Sequence, residues 1–96
     1  MTDCSYDPAV KVYLGPILIL GGLHHLPARL QGLLRALMTA GVKDVELTEV
    51  PDYRRLWIEV HDMCVWTGDP GDLCWGGDGS QDPLCTEAVT AVTSAL

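Results

Sequence analysis

The sequence predicts one α/β domain in which strand, helix, strand, strand, strand and helix build a four-stranded mixed sheet covered by helices. Three observations predict it. The chain has 96 residues, and single domains commonly run about 100–200, so it holds one modest core and no second domain. Hydrophobic residues make up 48% and charged ones 20%, which is globular usage, unlike that of disordered chains. The apolar residues also change period along the chain, alternating by two in some stretches and recurring at three and four in another.

Residues 1–9 read as a tail, and the domain as residues 10–96. Val10 to Leu14 is rich in Val and Tyr and is stopped by Gly15 and Pro16, a short buried strand followed by a loop. Leu26, Leu30, Leu33, Leu34, Leu37 and Met38 then fall on one helical stripe. Pro27 suits its first turn, and Gly41 stands where a left-handed cap ends a helix. Residues 44–50 resume extended character and stop at Pro51. Leu56, Ile58 and Val60 alternate with Trp57, Glu59 and His61, the period of a sheet with two unlike faces. Asp62 marks a turn, and residues 63–66 read as the returning strand. Residues 68–79 are too rich in Gly and Asp for regular structure. Asp82 and Pro83 open a last helix with Leu84, Ala88, Val92 and Leu96 along one stripe. A right-handed β-α-β unit makes the first two strands parallel, and the hairpin adds antiparallel beside them. That order is a thioredoxin-like plan.

The net charge is −7, and its distribution excludes whole classes of function. All six bases lie in the first 55 residues; from residue 56 onward there are seven acids and no Lys or Arg. That half repels phosphate backbones and anionic headgroups, so neither nucleic acid nor a membrane surface is an expected partner. The apolar run Ile17–Ile19 extends only to Leu20, far short of the roughly 20 residues that cross a bilayer. The acidic N-terminus does not read as a secretory signal. A reducing cytoplasm and unpaired thiols at Cys4, Cys64, Cys74 and Cys85 are the expectation.

Residues 14–16 (Leu-Gly-Pro), 24–33 (His-His-Leu-Pro-Ala-Arg-Leu-Gln-Gly-Leu), 50–52 (Val-Pro-Asp) and 72–85 (Asp-Leu-Cys-Trp-Gly-Gly-Asp-Gly-Ser-Gln-Asp-Pro-Leu-Cys) carry a resemblance. They resemble a small eukaryotic family known as uncharacterised protein family 0728, over nearly the whole chain after residue 9. The most specific piece is the loop Gly76, Gly77, Asp78, Gly79 followed by Asp82 and Pro83. This resemblance implies a eukaryotic intracellular setting, with a ciliary or flagellar assembly as its narrower form, and no particular activity. More distantly, the layout is similar to redox selenoproteins of the selenoprotein W type, which are thioredoxin-like. There a Cys-x-x-selenocysteine or Cys-x-x-Cys loop follows the first strand. Here the corresponding positions hold Leu14 and Ile17, and an aliphatic side chain can neither form a thiolate nor close a mixed disulfide.

The remaining chemistry is sparse. No Cys-x-x-Cys occurs; Cys85 falls in the first turn of the last helix, where the dipole favours a thiolate but Asp78, Asp82 and Glu87 oppose it. A one-cysteine thiol protein using Cys85 is therefore the alternative reading, beside Cys85 as a small buried residue. His61 with Cys64, Cys74 and Cys85, or His24 with His25, lack the paired spacing of a zinc site, and Asp69, Asp72, Asp78 and Asp82 lack that of an EF-hand. A metal-binding module ranks third; no metal ligand and no cofactor is assigned. Glycine-rich nucleotide motifs and a Gly-x-Ser-x-Gly elbow are absent. Surface recognition remains. If the loop after the first strand lies at the rim, Ile17, Leu18, Ile19 and Leu20 with Trp66 and Trp75 are the candidate protein-binding residues. The opposing expectation is that half of the run and at least two of the three tryptophans, Trp57, Trp66 and Trp75, fill the core. The sequence thus points to a non-catalytic protein-binding or structural subunit of a larger intracellular assembly.

Overall fold

A computed structural model of the chain describes residues 9–42, 44–72 and 83–96, apart from the side chains of Arg29 and Asp72. Strand β1 (Val10–Leu14) runs through the middle of a four-stranded sheet. It pairs in parallel with β4 (Val45–Glu49) and antiparallel with β5 (Leu56–Val60), and β5 pairs antiparallel with β6 (Met63–Gly68). Between β1 and β4 lie the short strands β2 (Ile17–Ile19) and β3 (Gly22–His24), a 3₁₀ turn (Pro27–Leu30) and helix α1 (Gln31–Thr39). Helix α2 (Pro83–Ala95) closes the described chain.

The alternation read in the sequence becomes the two faces of this sheet. Val10, Val12 and Leu14 on β1 stand across from Leu56, Ile58 and Val60 on β5, and all six are buried. Onto them pack Leu30, Leu33 and Leu37 from the first helical segment and Cys85, Ala88 and Val92 from α2. Both helices therefore cover the same face, in a two-layer arrangement. Each Val, Leu and Ile among them contributes about 1.5–3 kcal/mol by leaving water.

Helix α1 ends as the sequence predicts. Gly41 takes φ +93°, its N–H donates to the Met38 carbonyl at 3.0 Å, and the Val42 N–H donates to the Leu37 carbonyl at 2.9 Å. These two bonds satisfy carbonyls that the last turn leaves open. In α2 the buried stripe is rotated from the expected one. Cys85, Ala88 and Val92 are buried and Leu84 is half-buried, whereas Leu96 is 56% exposed because it lies past the helix end. Thr90 and Thr93 donate their hydroxyls to the Thr86 and Val89 carbonyls, both at 2.9 Å, the local bonding that makes Thr an indifferent helix former.

The loop expected after β1 is instead a second, two-stranded sheet. Ile17, Leu18 and Ile19 pair with His24, Leu23 and Gly22. Leu20 and Gly21 turn the chain with φ +50° and +82°, the doubly positive geometry of a tight hairpin turn. Strands of three residues in an almost wholly apolar run carry no alternation to betray them. Strand β6 also runs two residues further than its expected end at Trp66.

Candidate functional site

Four places gather the residues with chemical or recognition potential. The first is the end of β1, where the chain meets residues 50–55. The Gly15 N–H donates to the Arg55 carbonyl at 2.7 Å, the Arg54 N–H to the Pro16 carbonyl at 2.9 Å, and the Val50 N–H to the Leu14 carbonyl at 2.8 Å. A Cβ at Gly15 would lie 1.7 Å from the Asp52 carbonyl oxygen, so no side chain fits there. Leu14, Gly15, Pro16 and Ile17 are all buried. Beside them Arg54 donates to Asp69 at 2.8 Å, and the Asp69 carboxylate also accepts from the Gly71 N–H at 2.8 Å. The hydrogen bond to Asp69 and its charge hold the Arg54 guanidinium above its already high ordinary pKa, so it remains a cation.

The second place is the β2–β3 hairpin. Pairing puts Leu18 opposite Leu23, on one side, and Ile17 opposite His24 on the other. Ile17 is 6% exposed and anchors the hairpin, whereas Leu18, Leu20 and Leu23 are 58%, 103% and 60% exposed. Its base is tied down by His25, whose Nε2–H donates to the Val50 carbonyl at 2.7 Å while Nδ1 lies 3.9 Å from Glu49. Of the four expected recognition residues here, the structure exposes Leu18 and Leu20, buries Ile17 and leaves Ile19 half-buried. Leu23 was missed; only the hairpin register brings it beside Leu18.

The third is the sheet face away from the helices. The register aligns Thr48, Tyr13, Trp57 and Thr67 in one row and Glu46, Lys11, Glu59 and Cys64 in the next. Tyr13 and Trp57 stack with ring centroids 5.0 Å apart and planes 15° from parallel. The Trp57 indole N–H donates to Glu59 at 3.2 Å. A bulge between Ile58 and Glu59 leaves Val65 without an opposite residue and turns both Val65 and Trp66 toward the core. Cys64 and Thr67 then stand three residues apart on the open face. A concavity of about 280 Å³ opens there, lined by Asp52, Arg55, Leu56, Trp57, Cys64 and Thr67. Alternation predicts the aromatic row, but nothing in the sequence marks the bulge.

The fourth is the α2 side. Trp66 is 6% exposed, and its indole N–H donates to Glu87 at 2.8 Å. It fills the core and offers no recognition surface, as the opposing expectation has it for this tryptophan. Cys85 is 2% exposed among the core residues. Pro83 opens α2 as expected. Trp75, Gly76, Gly77, Asp78, Gly79, Asp82, Cys4 and Cys74 lie outside the described residues. Among the described residues no cluster of three or more His, Cys, Asp or Glu could hold a metal ion. No helix among them is long and apolar enough to cross a membrane.

Comparison with known proteins gives this geometry a family. A UPF0728 protein of Nematostella vectensis is 37% identical over 86 residues, covering 90% of this chain and 93% of its own. One from Branchiostoma floridae is 35% identical over 86 residues, covering 90% and 92%. The UPF0728 protein C10orf53 homolog of Mus musculus is 36% identical over 88 residues, covering 91% and 94%. No solved structure matches the chain. Residues 5–92 match the uncharacterised protein family UPF0728 as a whole, and the chain belongs to that family.

Proposed function

We propose that this chain is a non-catalytic protein-binding or structural subunit of a larger intracellular assembly, docking through the leucines of its β2–β3 hairpin. The observation that carries the reading is the outward side of that hairpin: Leu18, Leu20 and Leu23, all more than half exposed on an element whose other side is anchored. Contiguous exposed aliphatics of this kind mark interaction sites. Burying the exposed part of Leu18 or Leu23 against a partner returns about 1–2 kcal/mol, and burying the fully exposed Leu20 about 1.5–3 kcal/mol.

The scaffold is a thioredoxin-like one that has lost its redox pair. Support comes from the strand order β4-β1-β5-β6, with a parallel first pair and an antiparallel hairpin beside it. Leu14 and Ile17, at the places of the redox residues, are aliphatic and buried, where no substrate disulfide could reach them. The relatives are eukaryotic, and the setting proposed for this chain is cytoplasmic, with a ciliary assembly as its narrower form.

Two experiments test this reading. Leu18→Asp should lower recovery of crosslinked partners from native extract by about tenfold or more, equivalent to 1.4 kcal/mol, while leaving the circular dichroism spectrum unchanged. Recovery equal to that of the native chain contradicts it. The purified chain should also leave a dithiol-driven disulfide reduction assay at its background rate; sustained turnover removes the non-catalytic reading.

A further inference from the structure

We propose that the concavity on the open face of the sheet binds a free α-amino acid with an aromatic side chain. The site is built by the bulge of β6. An ordinary strand repeats its side chains on one face every second residue, but here Val65 and Trp66 both turn inward, and Cys64 and Thr67 leave a gap between them. Trp57 lies at this gap, held by the Tyr13 ring stacked against it and by its bond to Glu59. A flat apolar body can stack on that ring. The volume of about 280 Å³ lies just below the ~300 Å³ at which small-ligand pockets begin, which suits a body of amino-acid size.

The charged lining selects the ligand class. Arg55 and Asp52 both line the concavity, three residues apart in one turn. Neither forms an ion pair with the other or with another side chain among the described residues, in contrast to Arg54 with Asp69. A plain carboxylate would meet Asp52, and a plain amine would meet Arg55. A zwitterion satisfies both, its carboxylate on the Arg55 guanidinium and its ammonium on the Asp52 carboxylate.

Cys64 supplies the readout because its exposed thiol lines the same concavity. The rate of its alkylation by iodoacetamide, followed on the Cys64 peptide by mass spectrometry, is measured against L-phenylalanine concentration in the full chain. Protection by L-phenylalanine is expected, with the half-protecting concentration raised about tenfold in Arg55→Gln and in Asp52→Asn. N-acetyl-L-phenylalanine amide, which keeps the ring and loses both charges, should give none. Absence of protection, protection in either variant equal to that of the native chain, or protection by the amide overturns the proposal. The same titration on Leu20→Asn should match the native chain, so this test is independent of hairpin docking.

Discussion

Gly15 sits where two segments of backbone touch. Its N–H bonds the Arg55 carbonyl, and the position of its missing Cβ is already occupied by the Asp52 carbonyl. Gly15→Ala must push these segments apart, at a cost of about 2 kcal/mol or more, read as a lower urea midpoint. Gly41 is required for a different reason, because at φ +93° an alanine Cβ clashes with its own backbone. Gly41→Ala should cost about 1 kcal/mol, with no change of fold. Trp66→Phe removes the N–H that reaches Glu87 and part of a buried ring. Its expected loss is about 2 kcal/mol, roughly half from the hydrogen bond and half from the vacated space. The tryptophan is visible in the sequence as a candidate, but its place is not; an indole reads the same in a core and at an interface. Only the bulge, which turns Trp66 inward beside Val65, decides between them.

At the scale of elements, legibility follows period. Helix α1, with four of the six stripe residues (Leu33, Leu34, Leu37 and Met38) and a glycine cap, ends where the sequence puts it, although the turn expected to start it at Pro27 is 3₁₀. Strand β5, with strict alternation, lies where the sequence puts it. The β2–β3 hairpin escaped, since Ile17–Ile19 and Leu20 are apolar on both sides and a run without contrast has no period. Its turn is also disguised. Two-residue turns with positive φ at both positions favour Asn-Gly, whereas here Leu20 takes φ +50° beside Gly21. A leucine there costs about 1 kcal/mol of strain while its side chain stands fully exposed, so local stability is given up to display an apolar group. Leu20→Asn should therefore raise stability by about 0.5–1 kcal/mol in urea unfolding and lower partner recovery. A variant that is more stable and still recovers partners would assign Leu20 no role in docking.

For the whole molecule, the sheet divides structure from recognition. One face and both helices form the core; the hairpin and the open face carry the residues left over from folding. The acidity of the C-terminal half is legible in composition alone, and it argues against nucleic acid and membrane surfaces as partners. The concavity at Cys64 and Thr67 is not legible, because it arises from one unpaired residue in a ladder. The claim on which the rest depends is that the exposed leucines of the hairpin hold a protein partner. The most direct measurement places a photo-crosslinking residue at position 20 of the otherwise native chain in native extract and maps each crosslink by mass spectrometry. One recurrent partner protein is expected, crosslinked from position 20 and lost when Leu18→Asp is added. Crosslinks scattered over abundant proteins and insensitive to Leu18→Asp would contradict the claim.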